Sequence, residues 1–167
     1  AYNWHALLAP VGSWIDTPLN QPVDFAGAPR ARSDFLTWDQ IREISRSGLV
    51  EIAAHTDANH KGILANPQGN LQPAAATRRY DPVTKRYESE VDFQARIRTD
   101  VNNISEKIRK VTGKKPRVWV WPYGAADGTS LTVVGEEGYE MALTLEDGLD
   151  ALDNLMSSPR FLVSSDP

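Results

Sequence analysis

The stretch from Leu49 to Gly62 constrains this chain more than any other. Leu49, Val50 and Ile52 form an apolar, β-branched run that reads as a strand, and it leads into His55 and then His60. Five helical positions turn two side chains roughly 140° apart, and an odd offset along a strand sends them to opposite faces. Neither regular element brings both rings to one point, so a turn must do it. Asp57, Asn59 and Gly62 are residues that make turns. A strand ending at His55 and folding back aims both imidazoles into one mouth, which makes a two-histidine metal edge. Neutral imidazole is the commonest protein metal ligand, and an open catalytic site wants three protein ligands. The competing reading keeps His55 bonded to backbone at a strand end and leaves His60 in an exposed loop.

Bulk properties limit what such a site serves. A chain of 167 residues makes one domain with a substantial core, although a complete (β/α) barrel normally takes more. A formal charge of −4 with mixed signs offers no basic face, which argues against nucleic acid as a partner. No apolar run approaches the roughly 18 residues of a membrane span, and Ala1 onward has no basic segment followed by an apolar one. The chain therefore reads as soluble and already processed. With no cysteine, any metal must be held by nitrogen and oxygen.

Strands are expected near residues 6–11, 49–54, 117–121, 140–145 and 161–163, the first of them buried on both faces of a parallel sheet. Between the first two, Gly12 to Arg32 carries Pro18, Pro22 and Pro29 and reads as a long surface loop, with Trp14 either a sugar platform or a lid over core. Thr37 to Gln40 has the form of a capping box opening a helix that Gly48 closes. Gly62 to Ser89 is a second irregular segment, with a small hairpin at Tyr80 to Tyr87. Ile97, Val101, Ile104, Ile108 and Val111 mark a packing helix from Ser89 to Val111, ended by Gly113 and Pro116. Pro122 stops the strand that follows, Tyr123 and Gly124 form its turn, and Ser130 can cap a short helix ending near Gly138. Helices alternating with apolar strands define an α/β class.

Taken together, the strand into His55-Thr56-x-x-x-His60 and the later strand into Trp121-Pro122-Tyr123-Gly124 resemble the polysaccharide deacetylases of carbohydrate esterase family 4. The chain is similar in particular to the branch of bacterial periplasmic enzymes that de-N-acetylate poly-β-1,6-N-acetylglucosamine, a biofilm exopolysaccharide, and the run from Ala1 to Pro167 fits that branch throughout. The resemblance implies a distorted (β/α) barrel and an Asp-His-His set holding a divalent metal, be it zinc, iron, cobalt or nickel. It implies metal-ligand roles for His55 and His60, and for Tyr123 the position whose backbone amide meets the oxyanion. Trp121, Pro122, Tyr123 and Gly124 would form the substrate wall, with core packing as the other reading of Trp121. It also implies hydrolysis that supports export of the polymer, a periplasmic and outer-membrane-anchored setting, and a further domain in the natural protein.

The chain departs from the family pattern in three places. The family's Asp-Asp-Gly motif, which carries the metal Asp and the catalytic-base Asp, is missing, and by order of elements Ala6 to Val11 resembles the family's second strand. The expectation is a single domain over residues 1–167 that lacks the first barrel strand and its helix. Val120 stands where most members have arginine, and no histidine follows His60. Asp57, Asp127 and Asp147 remain as acids for the site. Two classes of function stand: a metal-dependent N-deacetylase, or a non-catalytic carbohydrate-binding module that keeps the fold.

Overall fold

Isoleucines and valines at offsets of three and four produce the longest helix, and a parallel sheet packs beneath it. The computed structural model describes residues 3–146, 148 and 154–160. In chain order the elements are β1 (Ala6–Leu8), α1 (Gly12–Asp16), β2 (Val23–Phe25), β3 (Ala28–Arg30), α2 (Trp38–Arg46), β4 (Val50–Ile52), β5 (Gly62–Leu64), β6 (Leu71–Pro73), β7 (Tyr80–Asp81), β8 (Arg86–Tyr87), α3 (Glu90–Thr112), β9 (Val118–Val120), α4 (Gly128–Glu136) and β10 (Met141–Leu143).

The mixed α/β class holds. β1 pairs in parallel with β4, and β9 with β10. Parallel bridges from Ala54 to Trp119 and from Leu143 to Ser158 join these pairs and extend them. The pairing order is thus β1, β4, β9, β10 and the Ser158 segment. Among the described residues β1 pairs on the β4 side alone, so Ala6 and Leu7 are exposed and β1 is not the doubly buried strand expected. The strand expected at 161–163 lies outside the described residues.

Alternation along the strands separates two layers of packing. Leu8, Ile52, Ala54, Trp119, Trp121 and Ala142 face the helices and join Phe93, Ile97, Val101, Ile104 and Ile108 of α3. Ala9, Ala53, Val118, Val120 and Leu143 face the other way, into the hollow side of the sheet. His55 has the parity of Ala53 and so rises from that inner side.

The helix ends follow the sequence closely. The capping box of Thr37 and Gln40 opens α2, Ser89 caps α3, and Gly113 closes α3 in the left-handed region. One cap differs from expectation. Asp127 is the N-cap of α4, and Ser130 is its partner three residues on in the same capping box.

The two segments read as irregular hold more order than their prolines suggest. Gly12 to Arg32 contains α1 and the antiparallel β2–β3 hairpin, and Gly62 to Ser89 adds a β5–β6 hairpin to the expected β7–β8 one. A tertiary interaction organises the first segment. The buried Arg32 guanidinium donates to the carbonyls of Ile15, Thr17 and Phe35, closing the loop on itself.

Ile104 is fully buried where α3 meets the sheet. Ile104→Ala is expected to lower stability by about 2–5 kcal/mol, read as an earlier denaturant midpoint with an unchanged m-value.

A candidate metal and substrate site at the ends of the strands

His55 follows β4, and its backbone N–H donates to Pro10 O at 3.2 Å. Its ring Nδ1 lies 2.6 Å from Val120 O at the end of β9. With Nδ1–H as the donor, Nε2 keeps its lone pair for a ligand. Burial, the largest influence, lowers the His55 pKa to about 4 against the opposing Val120 hydrogen bond, and His60 and Arg160 push it the same way as burial. The ring is therefore neutral at pH 7, the form that binds metal.

The turn required by the spacing is present and is built on α3. Asp100 is buried, and its Oδ2 accepts from the Thr56 hydroxyl and, at 2.9 Å, from Asp57 N. Its Oδ1 accepts from Ala58 N at 2.7 Å. Thr56 in turn accepts from Asn59 N at 2.9 Å. Thr56 has φ +104, an uncommon conformation for a β-branched residue, of the kind that costs about 1–3 kcal/mol and persists when the surroundings over-determine it. Three donors on one carboxylate do that here. Burial raises the Asp100 pKa, and those same hydrogen bonds oppose the rise.

Two further ties fix the turn from the side. Gly12 N donates to Thr56 O at 3.1 Å and Ser13 N to Asp57 O at 2.7 Å, so α1 is bound to the turn through backbone. A Cβ at Gly12 would stand 2.0 Å from Asp57 Oδ1, so a larger residue there requires the Asp57 carboxylate to shift. Lys107 of α3 reaches Asp57 and Asp16, each at 2.5 Å.

The result is convergence. The rings of His55 and His60 have centroids 4.8 Å apart, and His60 also meets Trp14 at 4.7 Å and Tyr123 at 4.5 Å. Among the described residues His60 Nδ1 is buried without a hydrogen-bond partner on any other residue. A buried ring nitrogen rarely goes unpaired. An orphaned nitrogen beside an oriented, neutral imidazole is what a divalent cation would complete, so both histidines fit as two ligands of such an ion. Among the described residues no group of three metal-binding side chains forms. Asp57 is held by Lys107, Asp127 caps α4, and Asp147 lies outside the described residues.

Tyr123 comes next to His60 through an unusual turn. Pro122–Gly124 is a single 3-10 turn in which Tyr123 has φ 57 and ψ 13, a left-handed conformation that non-glycine residues seldom adopt. Gly124 follows at φ +71 with Leu145 packed where a Cβ would go. Tyr123 N–H has no acceptor among the described residues, and its ring is 44% exposed. Trp121 and Pro122 do not line the site. Trp121 has the parity of Trp119, stacks edge-on against it at 5.7 Å, and is fully buried on the helix side of the sheet. Both residues support the turn from below, so their expected place on the substrate wall is corrected to the core.

A cavity of about 690 Å³ opens beside His60 and Tyr123. Ser13, Trp14 and Thr17, the tip of the β2–β3 hairpin at Asp24 and Gly27, and Leu71 to Pro73 of the β5–β6 hairpin enclose it. Trp14 packs on Phe25 and Phe35 and also lines the cavity. Asp100, Lys107, Arg160 and Gly12 were not singled out from the sequence. Asp100 lies at the edge of the apolar stripe of α3, three residues after Ile97 and four before Ile104, and that offset is the one signal by which the sequence could have marked it.

The polysaccharide deacetylase family model matches residues 1–142, and the chain belongs to that family. It is 42% identical over 167 residues to the poly-β-1,6-N-acetyl-D-glucosamine N-deacetylase of Escherichia coli (strain K12), a match that takes in 100% of this chain and 25% of that protein. Among solved structures, a de-N-acetylase from Aggregatibacter actinomycetemcomitans gives a TM-score of 0.90 at 37% identity, covering 99% of this chain and 62% of that one. The BpsB deacetylase domain from Bordetella bronchiseptica gives 0.90 at 40% identity, covering 96% and 62%. The chain thus spans a quarter of the curated relatives it matches and under two thirds of these solved chains. The fold is that of the polysaccharide deacetylase domain, and among the described residues no strand pairing closes a barrel.

Two outcomes follow. Asp100→Ala should weaken zinc binding about 10- to 100-fold by calorimetry, since it releases the turn between the histidines. The second concerns pH. His55 has a folded pKa near 4 against the ordinary 6.5, so the unfolded chain binds more protons between those values. The neutral ring's contribution is full above about pH 6.5 and fades toward pH 4, and His55→Gln should flatten the stability profile across that window in thermal melts.

Proposed function

We propose that this chain is the greater part of a metal-dependent polysaccharide N-deacetylase domain acting on poly-β-1,6-N-acetylglucosamine. The observation that carries the proposal is the convergence of His55 and His60, with one orphaned buried nitrogen, beside the strained Tyr123 turn. The named activity of the Escherichia coli relative supports the choice of substrate. A divalent ion, when bound, supplies a more acidic water and a Lewis acid for the amide carbonyl.

The chain's own residues do the rest. Val120 O orients His55, and Asp100 holds the turn that presents His60. Tyr123 N–H, without an acceptor among the described residues, donates to the developing oxyanion, and its ring, with Trp14, flanks the sugar entering the cavity. The carboxylate ligand and the base belong, in this proposal, to sequence beyond residues 1–167, and the greater length of the relatives supports that arrangement and a further domain. A periplasmic setting that serves export of the polymer is part of the same proposal.

The test is acetate release from a β-1,6-linked N-acetylglucosamine oligomer with added divalent metal, for residues 1–167 and for a form extended upstream in its natural sequence. The extended form is expected to be active and chelator-sensitive, with the shorter one slower by about 10²–10⁴-fold or more for want of the base. Equal rates would show that acids within residues 1–167 complete the site. An inactive extended form that still binds the oligomer would favour the binding module.

A further inference from the structure

One carboxylate lines the cavity beside the histidines, while the polymer proposed for that cavity carries no charge until it has been deacetylated. Asp24 stands on the β2–β3 hairpin, whose two turn residues, Ala26 and Gly27, have φ 55 and 81, the left-handed pair that a two-residue hairpin turn requires. The hairpin is fixed at two points. Val23 is buried, and the Phe25 ring packs on Trp14 at 5.1 Å. Trp14 in turn meets His60 at 4.7 Å, and His60 meets Tyr123 at 4.5 Å. A continuous line of rings thus runs from the neighbour of Asp24 to the histidines, and Asp24, Trp14, His60 and Tyr123 line the same cavity of about 690 Å³. Cavities of roughly 300–1,000 Å³ take ligands of drug size, which leaves room for more than one sugar ring.

The hairpin does not need the charge. Asp24 Oδ1 accepts from Gly27 N at 3.0 Å, a bond that the amide oxygen of an asparagine makes equally well. Among the described residues Oδ2 has no partner and Asp24 forms no ion pair. Residues 1–2, 147, 149–153 and 161–167 contain no lysine, arginine or histidine that could supply one. A neutral N-acetylglucosamine ring laid over Asp24 strips water from the carboxylate and returns no charge to it, which is unfavourable. The ammonium of a deacetylated ring does return one, through charge-assisted hydrogen bonds.

We propose that Asp24 is a specificity-determining residue that binds the ammonium of an already deacetylated glucosamine, held next to the acetylated ring whose amide lies at His55 and His60. The proposal rests on the N-deacetylase reading. In that reaction water's oxygen bonds to the acyl carbon, the carbon–nitrogen bond breaks and the amine takes the proton, so each turnover leaves one cation on the polymer. A chain that has reacted once therefore carries the group that Asp24 recognises, and further deacetylation is directed to its neighbours. Lys61 lines the same cavity with the opposite charge and acts against the same ammonium.

The experiment uses the natural-length, zinc-loaded protein labelled with fluorotryptophan, and its Asp24→Asn, Asp24→Glu and Lys61→Gln variants. Two β-1,6-linked probes of equal length are titrated, a glucosamine oligomer and a glucose oligomer that differs only in a hydroxyl at the place of each ammonium. Neither has an amide to hydrolyse, and each dissociation constant is read from the Trp14 fluorine signal, which reports on this cavity. Asp24→Asn should shift the ratio of the two constants roughly tenfold against the glucosamine oligomer, between the worth of an exposed ion pair and that of a buried charged hydrogen bond. Asp24→Glu should keep most of the ratio, Lys61→Gln should move it the other way, and added salt should shrink it. An unchanged ratio in Asp24→Asn overturns the proposal, even where both oligomers bind more weakly, because Asp24 then serves sugar hydroxyls. Acetate release from an N-acetylglucosamine oligomer, measured alongside, keeps the two readings separable. An Asp24-dependent ratio in a protein that releases no acetate would sink the deacetylase reading and leave the ammonium site standing, while normal release with an Asp24-independent ratio would do the reverse.

Discussion

The carboxylate of Asp100 is the interaction on which the site depends. Thr56 sits at a backbone angle that a β-branched residue avoids, and the turn between the histidines exists because three donors from Thr56, Asp57 and Ala58 meet one buried acceptor pair. Remove the acceptor and the buried Asp57 N–H loses its partner, a loss of about 1–3 kcal/mol, the part-buried Ala58 N–H loses its own, and the strain at Thr56 is no longer opposed. The acceptor itself is placed by the apolar packing of α3, since Ile97, Val101 and Ile104 on either side of it are buried against the sheet. Hydrophobic burial positions the helix, the helix positions a charge, and the charge positions the turn.

Much of the fold was legible because its determinants are local. The offsets of three and four in α3, the capping box of α2, the proline that ends β9 and the hairpin between Tyr80 and Tyr87 each depend on neighbours within a few residues. The order hidden in Gly12 to Arg32 is not local. It depends on one guanidinium reaching carbonyls up to 17 positions away, and proline counting cannot see such a contact. Likewise Ser130 and Asp127 are both able to cap a helix, and backbone geometry decides between them.

The site was legible to the extent that spacing implies geometry. Two histidines five apart after a strand can meet only across a turn, and they do meet. Trp121 shows where that logic ends. Its proximity to Tyr123 in sequence suggested a shared wall, but the two-residue period of β9 sends Trp119 and Trp121 to the helix side and Val120 toward the histidines. The positioning residues were invisible for another reason. Asp100 and Lys107 act from positions 40 or more residues away from the turn, and an acid or a base at the margin of a helix's apolar face looks the same whether it meets water or a buried loop.

Gly12 carries a different implication, for how such a domain can change over evolutionary time. Its missing side chain is the space into which Asp57 fits, and its N–H is joined to the carbonyl of Thr56. Position 12 and the histidine turn therefore share one piece of volume, although 45 positions separate Gly12 from Asp57. A lineage that enlarged residue 12 would have to turn the Asp57 carboxylate aside and with it disturb the contact to Lys107. Remodelling of the substrate cavity is left to the two hairpins, whose tips are outside this shared volume and can lengthen or exchange residues independently.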